Sequence, residues 1–288
     1  MLLNTSLINN IIQQGLDEDL GILGDVTSDF IIPHDQKIEF QISNREPIVL
    51  CGLEIALQIF KTTEERLKTT PAILKSNHKD GDYLPQNSII IEGIGNARAV
   101  FAAERLVLNL MQHLSGISTT TKKYVDEIAG TNAQILDTRK TIPNIRELQK
   151  YAVKTGGGTN HRMALYDGIL IKDNHISAAG NISEAVKLVR ENLAKTNKSM
   201  PIEVECDTLD QVLEALESKA DIIMLDNMNI SQTKKAVELI AGKAKIEASG
   251  GINLSSIKEI AQTGVNYISI GALTHSSKAV DIGLDVLK

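Results

Sequence analysis

Residues 201–226 read PIEVECDTLDQVLEALESKADIIMLD, and three segments of that stretch decide the fold. Pro201–Cys206 and Asp221–Leu225 are short apolar runs of strand type, and Leu209–Glu217 between them has helical spacing. A strand, a helix and a second strand in so short a span make a βα unit whose strands lie parallel. The pattern repeats on both sides of the stretch. Further strands are expected at Ala133–Leu136, Gly168–Ile171, Lys245–Ala248 and Tyr267–Ile270, with helices at Ser183–Leu193, Ser231–Ala241 and Ser255–Gln262. Six such strands fall short of eight, so an incomplete or atypical α/β barrel fits the segment as well as a full one.

Ahead of these units, up to about residue 114, the pattern is mixed. Leu7, Ile8, Ile11 and Ile12 recur at helical spacing behind Thr5 and Ser6, and Gly15 and Gly21 loosen the end of that helix. Short apolar runs follow at Lys37–Ser43, Pro47–Cys51, Ala72–Lys75 and Ser88–Glu92, with Lys79-Asp80-Gly81-Asp82 as a turn signal. From Arg98 to Gly116, Val100, Ala103, Val107, Leu110 and Leu114 step by three or four, giving one long connecting helix with Arg105 off its apolar stripe. Two domains are expected, an α+β domain over residues 1–114 and a catalytic α/β barrel over residues 115–288.

Composition narrows the function classes. The 288 residues are 42% hydrophobic and 23% charged, with a mean hydropathy of -0.05, which is the range of ordinary globular proteins. A net charge of -6 and a pI near 5.6 argue against nucleic acid or an anionic membrane as partner, since both need a basic face. Absence of Trp and 3% aromatic content remove the stacking platforms that bind single strands. Cys51 and Cys206 are too few for a disulfide framework, which suits a reducing compartment and makes a cytoplasmic location the expectation. The start, MLLNTSLINNIIQQGLDEDLG, has no basic n-region, and no run approaches the roughly 18 apolar residues of a membrane span.

Each barrel strand runs into polar residues: Asp137-Thr138-Arg139-Lys140, Lys172-Asp173-Asn174-His175, Glu205, Asp226-Asn227, Ser249-Gly250-Gly251 and Gly271. Loops at that rim converge on one mouth, so these residues read as a single site. Glu203 and Glu205 share one strand face, pointing inward; Glu205 lies about 6.6 Å nearer the mouth. Glu205 is thus the expected ligand contact and Glu203 the buried partner of a cation. The glycines after the last two strands suit a phosphate, whereas Gly156-Gly157-Gly158 and Gly93-Ile94-Gly95 match no nucleotide fingerprint.

Between Asp137 and His175 seven Lys or Arg stand against four Asp or Glu, an excess of +3 in a chain of -6. Arg146, Lys150 and Lys154 step by four and read as a solvated helix face. Arg139, Lys140, His161, Arg162 and Lys172 lie in or beside strand ends and suit a small polyanion, because guanidinium groups clamp carboxylates and phosphates in pairs. Glu205, Asp226 and Asp173 suit a hydroxylated sugar or a Mg²⁺ ion riding on its phosphates. No His/Cys spacing supports zinc at Asn160-His161 or Asn174-His175. A lysine at a barrel rim beside a phosphate site also leaves open a Schiff-base lyase or aldolase using Lys172.

Three ordered motifs, Asp137-Thr138-Arg139-Lys140-Thr141, Thr155-Gly156-Gly157-Gly158-Thr159-Asn160-His161-Arg162 and Lys172-Asp173-Asn174-His175, resemble those of the quinolinate phosphoribosyltransferases. The likeness continues through Glu203-Val204-Glu205, Leu225-Asp226-Asn227, Ser249-Gly250-Gly251 and Gly271-Ala272-Leu273-Thr274-His275, and reaches back to Ala103-Glu104-Arg105 and Leu114-Ser115-Gly116. It implies a sandwich-like N-terminal domain, a barrel of six or seven strands, and a homodimer in which one subunit caps the other's site. It implies the reaction of quinolinate with phosphoribosyl pyrophosphate and Mg²⁺, giving nicotinate mononucleotide, pyrophosphate and CO2 in NAD biosynthesis. Carried over by motif, Arg139, His161, Arg162 and Lys172 hold the two carboxylates, and Arg105 reaches in across the dimer interface. Lys140, Glu205 and Asp226 meet the phosphoribosyl pyrophosphate and its metal, so Lys140, Lys172, Glu205 and Asp226 are the expected catalytic residues. Ser249, Gly250, Gly251, Gly271 and Ala272 cradle the 5-phosphate, with Thr138 and Ile270 completing the binding set. Thr159 departs from the family, where a longer or basic residue is common.

Overall fold

The computed structural model describes residues 3–287. In chain order its strands are β1 (Lys37–Asn44), β2 (Ile48–Val49), β3 (Ile73–Lys75), β4 (Tyr83–Leu84), β5 (Ile89–Asn96), β6 (Gln134–Leu136), β7 (Ile169–Ile171), β8 (Ile202–Cys206), β9 (Ile222–Asp226), β10 (Lys245–Ser249), β11 (Tyr267–Ser269) and β12 (Ile282–Val286). Its helices are α1 (Thr5–Leu20), α2 (Val26–Ile31), α3 (Leu53–Leu67), α4 (Ala97–Glu127), α5 (Arg146–Thr155), α6 (Asp173–Ala179), α7 (Ile182–Leu193), α8 (Leu209–Glu217), α9 (Ile230–Ile240), α10 (Ile257–Ala261) and α11 (Ala272–His275). Two compact units result, one from Met1–Lys122, Ile142–Gly157 and Ser276–Lys288, the other from Lys123–Thr141 and Gly158–His275.

In the first unit an antiparallel sheet runs β12-β1-β5-β3, so the last strand of the chain pairs with the first. Alternation along β1 buries Phe40 and Ile42, and Phe40 meets Phe60 of α3 with ring centroids 5.6 Å apart. The sequence predicts no element between Cys51 and Ala72, yet α3 fills most of that interval. Asp80 starts it: its carboxylate accepts the N–H groups of Gly52 and Leu53 at 2.9 and 3.0 Å, satisfying donors that a helix start leaves open. The opening helix is capped by Asn4, whose Oδ1 accepts from Ser6 and Leu7. Helix α4 continues eleven residues past Gly116, its expected end. Gly116 is required there because a Cβ would stand 2.1 Å from the carbonyl oxygen of Lys278. One expectation is overturned: α5 does not present Arg146, Lys150 and Lys154 to solvent, since Lys150 is fully buried and only Lys154 is exposed.

In the second unit six parallel strands run β6-β11-β10-β9-β8-β7. The sheet is open: β6 and β7 do not pair, and β6 instead makes a single parallel bridge from Leu136 to Thr159. Helix α8 packs on β8 and β9, and on the outer face Ile202, Val204 and Cys206 of β8 and Ile223 and Leu225 of β9 are buried. Such burial supplies the driving force, at roughly 25 cal/mol per Å² of apolar surface. Local signals agree: Thr208 and Gln211 form a reciprocal capping box that opens α8, and Asn229 with Gln232 does the same for α9.

Candidate active site

The inner face of the parallel sheet carries every second residue, and this periodicity builds a cavity of about 680 Å³. Leu170 and Lys172 come from β7 and its end, Glu205 from β8, Met224 and Asp226 from β9, Glu247 and Ser249 from β10, Ser269 and Gly271 from β11 and its end. Thr138, Arg139 and Lys140 follow β6, and His161 and Arg162 follow the Thr159 bridge. Gly250, Gly251, Ile252, Ile270, Ala272 and His275 complete the wall. All fourteen of the expected site residues in this unit thus line one cavity. Arg105 does not: it is exposed on α4.

Sequence reading missed Glu247, although the period-two rule places it on the same face as Ser249. Glu247 is 1% exposed, and burial, then the nearby Glu203, push its carboxyl up to about 8. Glu203 and Glu247 face the same ring nitrogen: His161 Nε2 lies 3.1 Å from Glu203 Oε2 and 3.6 Å from Glu247 Oε2. The expected inward glutamate beside a cationic group is therefore found beside a histidine.

Fixed cations stand nearer the mouth. Arg162 donates from Nη1 to the Gly168 carbonyl at 2.9 Å; burial, then the charge of Arg139, lower its pKa. Two guanidinium groups held close together favour an anion between them, because each relieves its repulsion there. Arg139 Nε is buried with no protein acceptor. Lys172 Nζ pairs with Glu205, so the amine that a Schiff-base reaction needs as a nucleophile is already engaged. His175 Nδ1 accepts from the backbone of Lys172 at 3.0 Å and closes the first turn of α6.

Beyond β10 the chain turns through Gly250 at φ +87° and Gly251 at +64°. Among the described residues, the N–H groups of Gly250, Gly251 and Gly271 donate to no protein acceptor. Those three donors and Lys140, whose Cδ would lie 3.0 Å from a Cβ at Gly271, form a concavity suited to a phosphate. The helices that follow, α10 and α11, have five and four residues, so the backbone donors rather than a long helix carry this anion affinity. Glu205 and Asp226 end adjacent strands with hard oxygen donors, and Asn227 Nδ2 orients Asp226 from 2.6 Å. That donor set fits Mg²⁺, which takes one or two carboxylates together with substrate phosphate oxygens. Thr159, the departure from the family pattern, is exposed, its hydroxyl 3.4 Å from Gln134 Oε1.

The chain is similar to known proteins over nearly its whole length. The family models for quinolinate phosphoribosyl transferase match residues 25–115 with the N-terminal domain and 117–285 with the C-terminal domain. The chain is 44% identical over 96% of its length to the chloroplastic nicotinate-nucleotide pyrophosphorylase [carboxylating] of Arabidopsis thaliana, covering 82% of that protein. It is 44% identical over 93% of its length to the probable nicotinate-nucleotide pyrophosphorylase [carboxylating] of Bacillus subtilis, covering 90% of it. The crystal structure of nicotinate-nucleotide pyrophosphorylase from Ehrlichia chaffeensis superposes with a TM-score of 0.91 at 42% identity, each chain fully covered.

Proposed function

Because the chain belongs to the quinolinate phosphoribosyl transferase family, we propose that it transfers the phosphoribosyl group of phosphoribosyl pyrophosphate to quinolinate and releases CO2, giving nicotinate mononucleotide and pyrophosphate for NAD biosynthesis. One observation supports this most: a single cavity holds clustered fixed cations, two outer carboxylates and three open glycine N–H groups. Arg139, Arg162 and Lys172 face a compact dianion, replacing the water its two carboxylates lose on entry. Gly250, Gly251 and Gly271, with Ser249 and Ala272, receive the 5-phosphate.

Ribosyl transfer builds positive charge on the sugar as pyrophosphate departs. Glu205 and Asp226 stabilise that charge, and Lys140 neutralises the leaving pyrophosphate. When bound to the donor's phosphates, Mg²⁺ would be held by Glu205 and Asp226 and would supply further charge neutralisation there. Lys172, shared between Glu205 and the acceptor acid, ties the two half-sites together. After transfer the pyridinium ring itself accepts the electrons of the departing carboxylate. Arg105 reaches a neighbouring subunit's site in a homodimer, for which its exposed position on α4 is suited. The exposed apolar side chains of Leu23, Phe30 and Ile31, at 79%, 90% and 74%, support such an interface. No helix among the described residues is long and apolar enough to cross a membrane.

The test is an assay with phosphoribosyl pyrophosphate, Mg²⁺ and either quinolinate or nicotinate, following mononucleotide and CO2. Product from quinolinate alone is expected, and Arg139→Ala or Lys172→Ala is expected to lower kcat/KM by about 100-fold or more, since a charge-assisted contact contributes about 1.5–3 kcal/mol and orientation adds to it. Full activity in either folded variant would refute the assignment.

A further inference from the structure

His161 sits where three segments meet. Asp137, fully buried at the end of β6, accepts the backbone N–H of His161 at 2.9 Å and the side-chain amide of Asn160 at 2.6 Å. The ring that follows, its side chain 12% exposed, turns inward with Nε2 facing Glu203 and Glu247. Its other nitrogen, Nδ1, lies 2.8 Å from the backbone N–H of Arg162. A backbone N–H can only donate, so Nδ1 must present a lone pair, and the ring proton must be on Nε2.

Two other chemistries for this group fail on that contact. An imidazolium would carry a proton on Nδ1 and set it against the N–H of Arg162. A metal ion is suggested by the ligand atoms of His161, Glu203 and Glu247, which all lie within 4.8 Å of one another. Bound through Nε2, it would leave the ring with no proton on either nitrogen, whereas a metal-ligating histidine ordinarily donates its other N–H. We infer that His161 is a neutral positioning residue that fixes the backbone of Arg162, and that it places no cation on the substrate carboxylates. The inference rests on the reading of this cavity as a site for a pyridine dicarboxylate.

The surroundings agree. The raised pKa of Glu247 keeps that carboxyl protonated at neutral pH, leaving Glu203, the closer of the two, to accept from Nε2. Arg162 is then held at both ends, by its N–H on His161 and by Nη1 on the Gly168 carbonyl. Such double anchoring matters because a misplacement of about 1 Å at a reacting centre costs on the order of 100-fold in rate. Within one subunit the charge facing the dianion then comes from Arg139, Arg162 and Lys172.

Nitrogen NMR of the full-length protein, labelled at histidine, reads the ring directly, with and without saturating quinolinate. The expected signature is one ring proton, on Nε2, in both states. A doubly protonated ring, or a proton on Nδ1, in either state would overturn the inference. Kinetics give a second readout. His161→Asn sets an oxygen where Nδ1 stood and can still accept from Arg162, whereas His161→Ala cannot. With Asn the KM for quinolinate is expected about tenfold lower than with Ala, and the KM for phosphoribosyl pyrophosphate within about twofold of wild type in both. Equal losses in Asn and Ala would show that the ring's charge is what matters and overturn the inference. Wild-type turnover of quinolinate, measured in the same preparation, keeps the two readings apart: its absence removes the proposed reaction, while the ring proton is still read in the ligand-free protein.

Discussion

Replacing Gly250 with alanine perturbs the phosphate cradle at its tightest point. Gly250 has φ +87°, and a Cβ there would stand 2.2 Å from Asn227 Oδ1 and 2.8 Å from the backbone nitrogen of Asn227. The side-chain clash can be relieved by rotation. The backbone clash cannot, because that nitrogen donates to the carbonyl of Ser249 at 2.9 Å and is fixed between β9 and β10. An ordinary contact therefore needs the turn to move by roughly 0.5 Å, on top of about 1–2 kcal/mol for a side chain in the left-handed region. The movement carries the N–H groups of Gly250 and Gly251 out of register with a phosphate, and a hydrogen bond to a charged group contributes about 1.5–3 kcal/mol. Losing one raises the KM for phosphoribosyl pyrophosphate by about 10- to 100-fold. Initial rates with each substrate varied in turn should show that rise, with the KM for quinolinate within about twofold of wild type. Gly251→Ala is the internal comparison: φ is +64°, but its Cβ would meet nothing within 4 Å, so backbone strain acts alone and the effect is smaller. An unchanged KM for phosphoribosyl pyrophosphate in Gly250→Ala, or equal effects of the two alanines, would refute the cradle.

Stability should depend on pH through Glu247, whose carboxyl is raised from 4.5 to about 8 in the fold. The folded state holds that proton over a range where the unfolded chain releases it, so stability falls as pH climbs from about 4.5 to about 8. Urea midpoints of wild type minus Glu247→Gln should show this slope; a difference that rises with pH would contradict it. Both thiols should be inert in the native protein, since burial raises Cys51 well above its ordinary range and Cys206 to about 12. Titration with an aromatic disulfide should find no reactive thiol until denaturant is added, when two appear. Asp80→Ala should destabilise the first unit by about 2–4 kcal/mol, because it strips acceptors from Gly52, Leu53 and the Tyr151 hydroxyl, 2.8 Å away. Thermal melting checks this, and an unaltered midpoint would remove Asp80 as the organiser of α3.

Much of the site was legible because a parallel sheet converts linear order into spatial convergence. Each strand end between Leu136 and Gly271 is polar, and every strand of a βα repeat points its carboxyl end to the same rim. The six strands were expected within about two residues of where they lie, since apolar runs bounded by turns are a local property. Less local features escaped. Helix α3 depends on a cap from Asp80, 27 residues beyond Leu53, which no window of sequence contains. Lys150 looked solvated because its neighbours at i±4 are charged, and only packing put it at 0% exposure.

Residue types and spacing alone determined that this chain alternates strands and helices after Gly130, that its cations cluster between Arg139 and Lys172, and that glycines follow the last strands. These are consequences of local propensity and period, which a linear chain carries by itself. Tertiary structure decided the rest. Pairing of β12 with β1 joins segments about 240 residues apart in one sheet, a contact whose entropy cost only the completed fold offsets. The surroundings of His161 were decided there as well, with a backbone N–H at one ring nitrogen and carboxyl groups from two other strands at the other. Hydrogen-bond donors and acceptors can be counted from sequence, but which of them meet is a property of three-dimensional packing.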